Sequence, residues 1–98
     1  MKFNYPALIT PIEDGRFLVV FPDFKWGVTD GSNMDEALTQ AVDLLDTIIL
    51  HTISEKKALP APQEKNTVGF HMIAPTPLVS AQAMIYWTMR VNNINNTE

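Results

Sequence analysis

The segment from Met34 to Ile53 repeats apolar residues with the period of an α-helix, and this pattern constrains the fold more than any other feature. Asn33 is placed to cap the helix, and Glu36 can reach back to the same turn. The apolar residues that share one broad face are Met34, Ala37, Leu38, Ala41, Val42, Leu44, Leu45, Ile48, Ile49 and Ile53. A helix with such a face must pack against a sheet or another helix.

Three short strands are predicted before this helix, because aromatic and β-branched residues there are separated by turn signals. They run over Lys2–Pro11, Arg16–Phe21 and Trp26–Thr29. Both faces of the second strand are apolar. The helix can cover only one face of the resulting sheet, so the other face needs a further cover.

A proline-bearing connector, a fourth strand and a second helix are predicted after the first helix. They cover Ser54–Asn66, Thr67–Ala74 and Leu78–Val91. The order is β-β-β-α-β plus a short helix, which predicts an α+β domain over residues 1–76 and a C-terminal helix with a frayed tail over 77–98. The second helix is apolar on two sides, so we expect it to contact another chain or to cover the second sheet face. The residues predicted at an oligomer interface are Leu78, Met84, Ile85, Trp87, Met89 and Val91.

Composition excludes several classes of protein. The 98 residues contain no cysteine, which excludes disulfides, thiolate metal sites and cysteine nucleophiles. Apolar stretches are too short to span a bilayer, and the first residues lack the apolar region of a signal peptide. We therefore expect one domain in a reducing cytosol, without a membrane partner.

Acidic residues are concentrated in the first half of the chain. Residues 1–55 hold nine Asp or Glu and three Lys or Arg, a balance of −6. Because nucleic-acid binding depends on Lys and Arg that neutralise phosphates, this half favours a basic partner instead. The alternative is that the acidity only keeps a small domain soluble.

No constellation for catalysis is found in the sequence. His51 and His71 have no neighbour at metal-ligand spacing, and structural roles are predicted for both. The strand order is similar to that of ribonuclease H, whose members hold two metals with clustered carboxylates. Here Asp14, Asp23 and Asp30 fall at turns or strand ends. We predict no catalytic residue, no metal site, no cofactor and no enzymatic activity.

A set of short motifs in fixed order carries a resemblance to a known family. They are Tyr5-Pro6, Glu13-Asp14-Gly15, Phe21-Pro22-Asp23, Thr29-Asp30-Gly31, Asp35-Glu36-Ala37-Leu38 and, after the helix, Leu59-Pro60 with Pro62. Over about residues 1–92 the chain resembles the N-terminal domain of the HicB antitoxin family. The resemblance implies a degenerate ribonuclease-H-like domain without nuclease activity, which masks a small basic mRNA-cleaving toxin called HicA.

The resemblance also bears on DNA binding and self-association. Family members usually carry a C-terminal DNA-binding module and commonly dimerise. The stretch 77–94 is similar to the helix that leads into this module, but the sequence ends at Glu98 before a recognition helix. We therefore expect a homo-oligomer, and we do not expect DNA binding from these residues themselves.

These observations lead to one functional hypothesis and one alternative. The hypothesis is an antitoxin that neutralises a HicA-type toxin by masking its RNA-binding surface with acidic turns and an acidic helix face. The residues predicted to bind the toxin are Glu13, Asp14, Asp23, Trp26, Asp30, Glu36, Asp43 and Asp46. The alternative is an orphan HicB-like module that self-associates or accompanies RNA, in which the same acids only cap, turn and solubilise.

Overall fold

The computed structural model describes residues 2–95, which form a four-stranded antiparallel sheet and two helices. The elements are β1 (Tyr5–Pro11), β2 (Phe17–Val20), β3 (Val28–Gly31), α1 (Met34–Ser54), β4 (Phe70–Ile73) and α2 (Pro77–Asn95). The strand order is β3-β2-β1-β4. This arrangement confirms the predicted α+β class and the order β-β-β-α-β followed by a helix. The predicted frayed tail lies partly in α2, and residues 96–98 lie outside the described part of the chain.

The sheet buries one face against α1. Tyr5, Ala7 and Ile9 alternate along β1 and are buried. Their cross-strand neighbours Val19 and Ile73 lie on the same face and are buried too. The period of two along β1 therefore sets the register of the central strands, because a shift by one residue would expose this whole row.

Helix α1 follows the predicted pattern closely. Its fully buried apolar residues are Ala37, Ala41, Leu45, Ile48 and Ile49. Asn33 Oδ1 accepts a hydrogen bond from Glu36 N (2.8 Å), and Glu36 Oε1 accepts one from Ser32 N (2.7 Å). The Glu36 carboxylate thus binds the backbone N–H of Ser32, one residue before the cap residue Asn33 that a capping box uses. Two backbone donors at the start of the helix are satisfied by these contacts.

Strand β3 begins two residues later than the sequence predicts. Gly27 has a φ of +95°, and a Cβ at this position would lie 2.8 Å from Ile48 Cδ1. The chain therefore bends at Gly27 to pass closely over α1, and pairing starts only at Val28. Trp26, predicted as the first strand residue, lies in the loop before the bend and is 45% exposed.

The second face of the sheet stays open in part. Its members, identified by the strand register, are Leu8, Leu18, Val20, Val28, Phe70 and Met72. Val28 is exposed and the other five are half-buried. Helix α2 packs against α1 instead, with Val79 and Ala83 buried and the Trp87 ring 5.8 Å from the Phe3 ring. The second helix was expected either to contact another chain or to cover this face of the sheet. It does not cover this face, so the second of these expectations is wrong.

Truncation of Leu45 tests this description of α1. Because Leu45 is fully buried, Leu45→Ala is expected to lower the free energy of unfolding by about 2–5 kcal/mol. Thr39 lies on the exposed side of the same helix, so Thr39→Ala is expected to change it by less than about 0.5 kcal/mol. Urea unfolding of both variants measures the difference. Equal losses of stability would show that the buried face is assigned wrongly.

Candidate protein-binding surface

Three of the predicted carboxylates, those of Asp14, Asp30 and Glu36, lie near Arg16 where the β1–β2 hairpin meets the first turn of α1, and Glu13 precedes Asp14 in the hairpin. Arg16 donates from Nε and Nη2 to Asp30 Oδ2 at 3.0 and 2.7 Å. These hydrogen bonds and the Asp30 charge raise the pKa of Arg16, and the charges of Glu36 and Asp14 raise it further. We call this cluster the hairpin patch, made of Glu13, Asp14, Arg16, Asp30 and Glu36.

The hairpin patch is exposed and carries an excess of negative charge. A groove of about 550 Å³ runs between the hairpin and the end of β3, and Glu13, Asp14, Arg16 and Asp30 line it. The patch holds four carboxylates and one guanidinium. Because the Arg16 and Asp30 side chains are 41% and 46% exposed, their ion pair contributes little to stability. The patch is suited to attract a cationic surface.

The two helix acids of the predicted set have different surroundings. Asp46 accepts hydrogen bonds from Thr76 N (3.0 Å) and Thr76 Oγ1 (2.8 Å), and so ties the start of α2 to the middle of α1. The sequence did not predict this contact, because Asp46 and Thr76 are 30 residues apart. Asp43 is exposed on the outer side of α1, two turns after Glu36.

The remaining predicted residues, Asp23 and Trp26, lie at the opposite end of β2. They line a cavity of about 610 Å³ between the β2–β3 loop and the end of α1. The Trp26 and His51 rings meet edge to face, with centroids 5.0 Å apart. Asp23 Oδ2 is closed off from solvent and has no hydrogen-bond partner. The eight predicted residues therefore do not form one surface: four belong to the hairpin patch, two line this cavity, and Asp43 and Asp46 lie on α1 outside both.

Sequence reasoning missed two side chains of this cavity. His51 was assigned a structural role at the helix end, and Thr52 fell outside the apolar arc. Thr52 is buried because its hydroxyl donates to Ile48 O at 2.8 Å, which satisfies its polar group within the helix. The approach of Trp26 to His51 depends on the bend at Gly27, which helical periodicity cannot indicate.

Tyr5 lies beside this cavity, and its ionisation makes the free energy of unfolding depend on pH. Its hydroxyl donates to Pro60 O at 2.8 Å, and burial, together with the charge of Asp23, raises its pKa above the ordinary value of 10.0. Above pH 10 the unfolded chain would ionise this phenol while the folded chain keeps it protonated. The contribution of Tyr5 to stability is therefore full below pH 10 and falls as pH rises towards the folded pKa.

A tyrosine variant tests this linkage. Tyr5→Phe is expected to lose about 0.5–1.5 kcal/mol at neutral pH, because the hydrogen bond to Pro60 is removed. Above about pH 10, its melting temperature is expected to fall less steeply with pH than that of the wild type. Thermal melts at a series of pH values measure both effects. Parallel curves for the two proteins would show that Tyr5 is not the alkaline titrating group.

The six residues predicted at an oligomer interface divide between two sides of α2. Leu78, Ile85 and Met89 line up at helical spacing and are 71%, 60% and 57% exposed. We call them the α2 stripe. Val91 is exposed on another side of the helix, whereas Met84 and Trp87 are half-buried against the core. The second apolar side of this helix is therefore explained by packing within the chain.

Within residues 2–95, no group of three or more His, Asp or Glu side chains is placed to hold a metal ion. Neither of the described helices is long and apolar enough to cross a membrane.

Comparison with known proteins identifies the family. The sequence profile of the HicB-like antitoxin of bacterial toxin–antitoxin systems matches residues 4–81, from the residue before β1 to the first turns of α2. The chain belongs to the HicB-like antitoxin family. The resemblance noted in the sequence is thereby confirmed, and the hairpin patch and the Asp23 cavity both lie in the HicB-like region.

Curated relatives and a solved structure agree with this family. Antitoxin HicB 1 of Photorhabdus laumondii is 34% identical over 61 residues, which cover 62% of this chain and 39% of that protein. Antitoxin HicB of Escherichia coli is 28% identical over 77 residues, with 79% and 56% covered. A chain from a toxin–antitoxin complex of Streptococcus pneumoniae matches with a TM-score of 0.60 at 29% identity, over 69% of this HicB-like chain and 49% of that chain. The chain thus spans 39% and 56% of the two curated relatives.

Proposed function

We propose that this protein is an antitoxin that neutralises a small, basic, RNA-cleaving toxin of the HicA type by covering its RNA-binding surface. The hairpin patch carries this proposal, because its four carboxylates outnumber its one guanidinium and form an anionic surface in a HicB-like domain. The similar chain of known structure comes from a toxin–antitoxin complex, which also supports a toxin partner. Since the proposed partner acts on mRNA, the proposed place of action is the cytoplasm.

Electrostatics explains how such a surface would compete with RNA. A protein that grips RNA presents Lys and Arg to the phosphates. An exposed carboxylate cluster attracts the same cations, and it increases the rate at which the two proteins meet. The carboxylates of the hairpin patch can therefore occupy the groups that an RNA substrate needs.

The positions of the acids support binding rather than nuclease chemistry. Asp14 precedes β2 and Asp23 follows it, so these two carboxylates lie at opposite ends of the strand. A two-metal nuclease needs its carboxylates together at one point, with metals about 3.5–4 Å apart. We therefore propose a non-enzymatic protein, in which the ribonuclease-H-like strand order that the resemblance implies serves only as a scaffold.

The α2 stripe supports self-association. Self-association is part of the proposed function and also of the orphan alternative. Three large apolar side chains more than half exposed on one line of a helix are expected to pair with a second copy. Light scattering at about 100 μM, well above the dissociation constant of a standard-size interface, is expected to show an oligomer. Ile85→Lys is expected to give a monomer, and Thr88→Lys, on an exposed position beside the stripe, is the matched control. A wild-type monomer would contradict this role of the stripe.

Co-expression tests the toxin partner. The protein is expressed together with a HicA-type toxin, and both are passed through size-exclusion chromatography. A stable complex that survives purification supports the proposal. If the two proteins elute separately, the toxin-binding role is wrong and the orphan alternative takes its place.

A further inference from the structure

We propose that the cavity beside Asp23 receives an arginine side chain from the basic partner. This inference rests on the proposed function and names the chemistry of one contact that the partner makes. The cavity lies between the β2–β3 loop and the C-terminal end of α1, and it holds about 610 Å³. It is separate from the hairpin patch, because the two lie at opposite ends of β2.

The first argument is an uncompensated carboxylate. Asp23 Oδ2 has no hydrogen-bond partner, and it is the one such buried side-chain atom in residues 2–92. No ion pair is formed by Asp23, since the salt bridge found in the described chain joins Arg16 and Asp30. The nearby Tyr5 hydroxyl donates to Pro60 O instead. A buried acceptor without a donor is unfavourable, and a cationic donor that displaces part of the lining and reaches Asp23 Oδ2 would relieve this cost.

The second argument is the shape and polarity of the walls. Trp26 lines the cavity and is 45% exposed, so an entering guanidinium can lie against the indole. The cavity also faces the last turn of α1, where the helix dipole is negative. Carboxylate, aromatic ring and helix C-terminus all favour a cation. Arginine suits them better than lysine, because its planar group is weakly hydrated and stacks on aromatic rings.

The third argument concerns the basic residues at the rim. Lys25, Lys57 and His51 also line the cavity, and an anion such as phosphate is the competing ligand. All three are exposed, so water and salt screen their charges. The Asp23 carboxylate is half-buried and is screened less. The Asp23 carboxylate is therefore the least screened charge of the lining. Because that charge is negative, a cation is the preferred ligand.

A titration with a blocked amino acid tests this inference without the toxin. N-acetyl-arginine amide is added to the ¹⁵N-labelled protein, and the indole N–H signal of Trp26 is followed by NMR at constant ionic strength. N-acetyl-citrulline amide, which has the same shape without the charge, and inorganic phosphate are added in parallel. Saturable shifts with arginine, and none with citrulline, are expected.

Two variants test whether the arginine derivative binds at Asp23. Asp23→Asn, which keeps the size of the side chain, is expected to weaken arginine binding about tenfold or more. Asp35→Asn removes an equal charge from the exposed first turn of α1, at the other end of the helix, and is expected to leave arginine binding unchanged. No saturable arginine shift, an equal response to citrulline, or shifts with phosphate alone would overturn the inference. A protein that fails this titration but still binds the toxin would keep the proposed function and lose only the arginine site.

Discussion

Gly31→Ala is expected to destabilise the protein more than the same change at Gly15, Gly27 or Gly69. Gly31 ends β3, is buried and lies against the first turn of α1. A Cβ there would lie 2.3 Å from Ala37 N, 2.6 Å from Ala37 Cα and 2.8 Å from Glu36 C. All three are backbone atoms, so no side-chain rotation can relieve the overlap, and the start of α1 must move away from the sheet.

The expected loss is at least about 3 kcal/mol, at the upper end for an overpacked core. For a domain of this size it corresponds to a fall in melting temperature of more than about 12 °C. Gly15→Ala is the control: Gly15 has a φ of +73° and open space around its Cβ position, so only a backbone cost of about 1 kcal/mol is expected. Melting temperatures within a few degrees of each other would refute the close approach of β3 and α1.

Charge reversal in the hairpin patch is expected to have the largest effect on toxin binding. Glu13 and Asp14 are exposed and make no side-chain hydrogen bond in the described structure, so they can be changed without loss of a structural contact. Asp14 has a φ of +61°, which asparagine tolerates. In the double variant Glu13→Lys with Asp14→Asn, the association rate with the toxin is expected to fall about tenfold or more at low salt.

The control variant changes the net charge by the same amount at other positions. Glu55→Lys with Glu64→Gln alters two exposed acids outside the predicted set, one at the end of α1 and one in the connector. Stopped-flow association at several salt concentrations compares the variants, and the hairpin variant is also expected to show a weaker salt dependence. Equal rates for both double variants would show that net charge, rather than the hairpin patch, guides the encounter. Asp46 is unsuitable for this test because it holds Thr76.

The sequence predicts α1 well because the burial of one apolar face dominates its formation. The apolar period, Asn33 at the cap and the prolines beyond the helix all indicate the same element, and the structure places it at Met34–Ser54. The hairpin turn and the α+β class follow for the same reason. Met84 and Trp87 were less predictable, because periodicity shows that a helix side is apolar but not whether its own chain covers it.

The candidate surfaces were only partly predictable. The acids of the hairpin patch were named from charge and turns, and their convergence on Arg16 depends on how the hairpin meets α1. The Asp23 cavity depends on the bend at Gly27 and on the close packing of Ile48, which bring Trp26 to His51. Contacts between residues so far apart in sequence are set by tertiary packing, which no local pattern contains.

Inhibition of RNA cleavage tests the central claim most directly. A HicA-type toxin is incubated with a labelled RNA while this protein is added in increasing amounts. The account predicts that cleavage falls to background when the two proteins reach stoichiometric amounts, and that the Glu13→Lys, Asp14→Asn variant requires more protein for the same effect. Cleavage that continues at full rate in a saturating excess of the wild-type protein would contradict it.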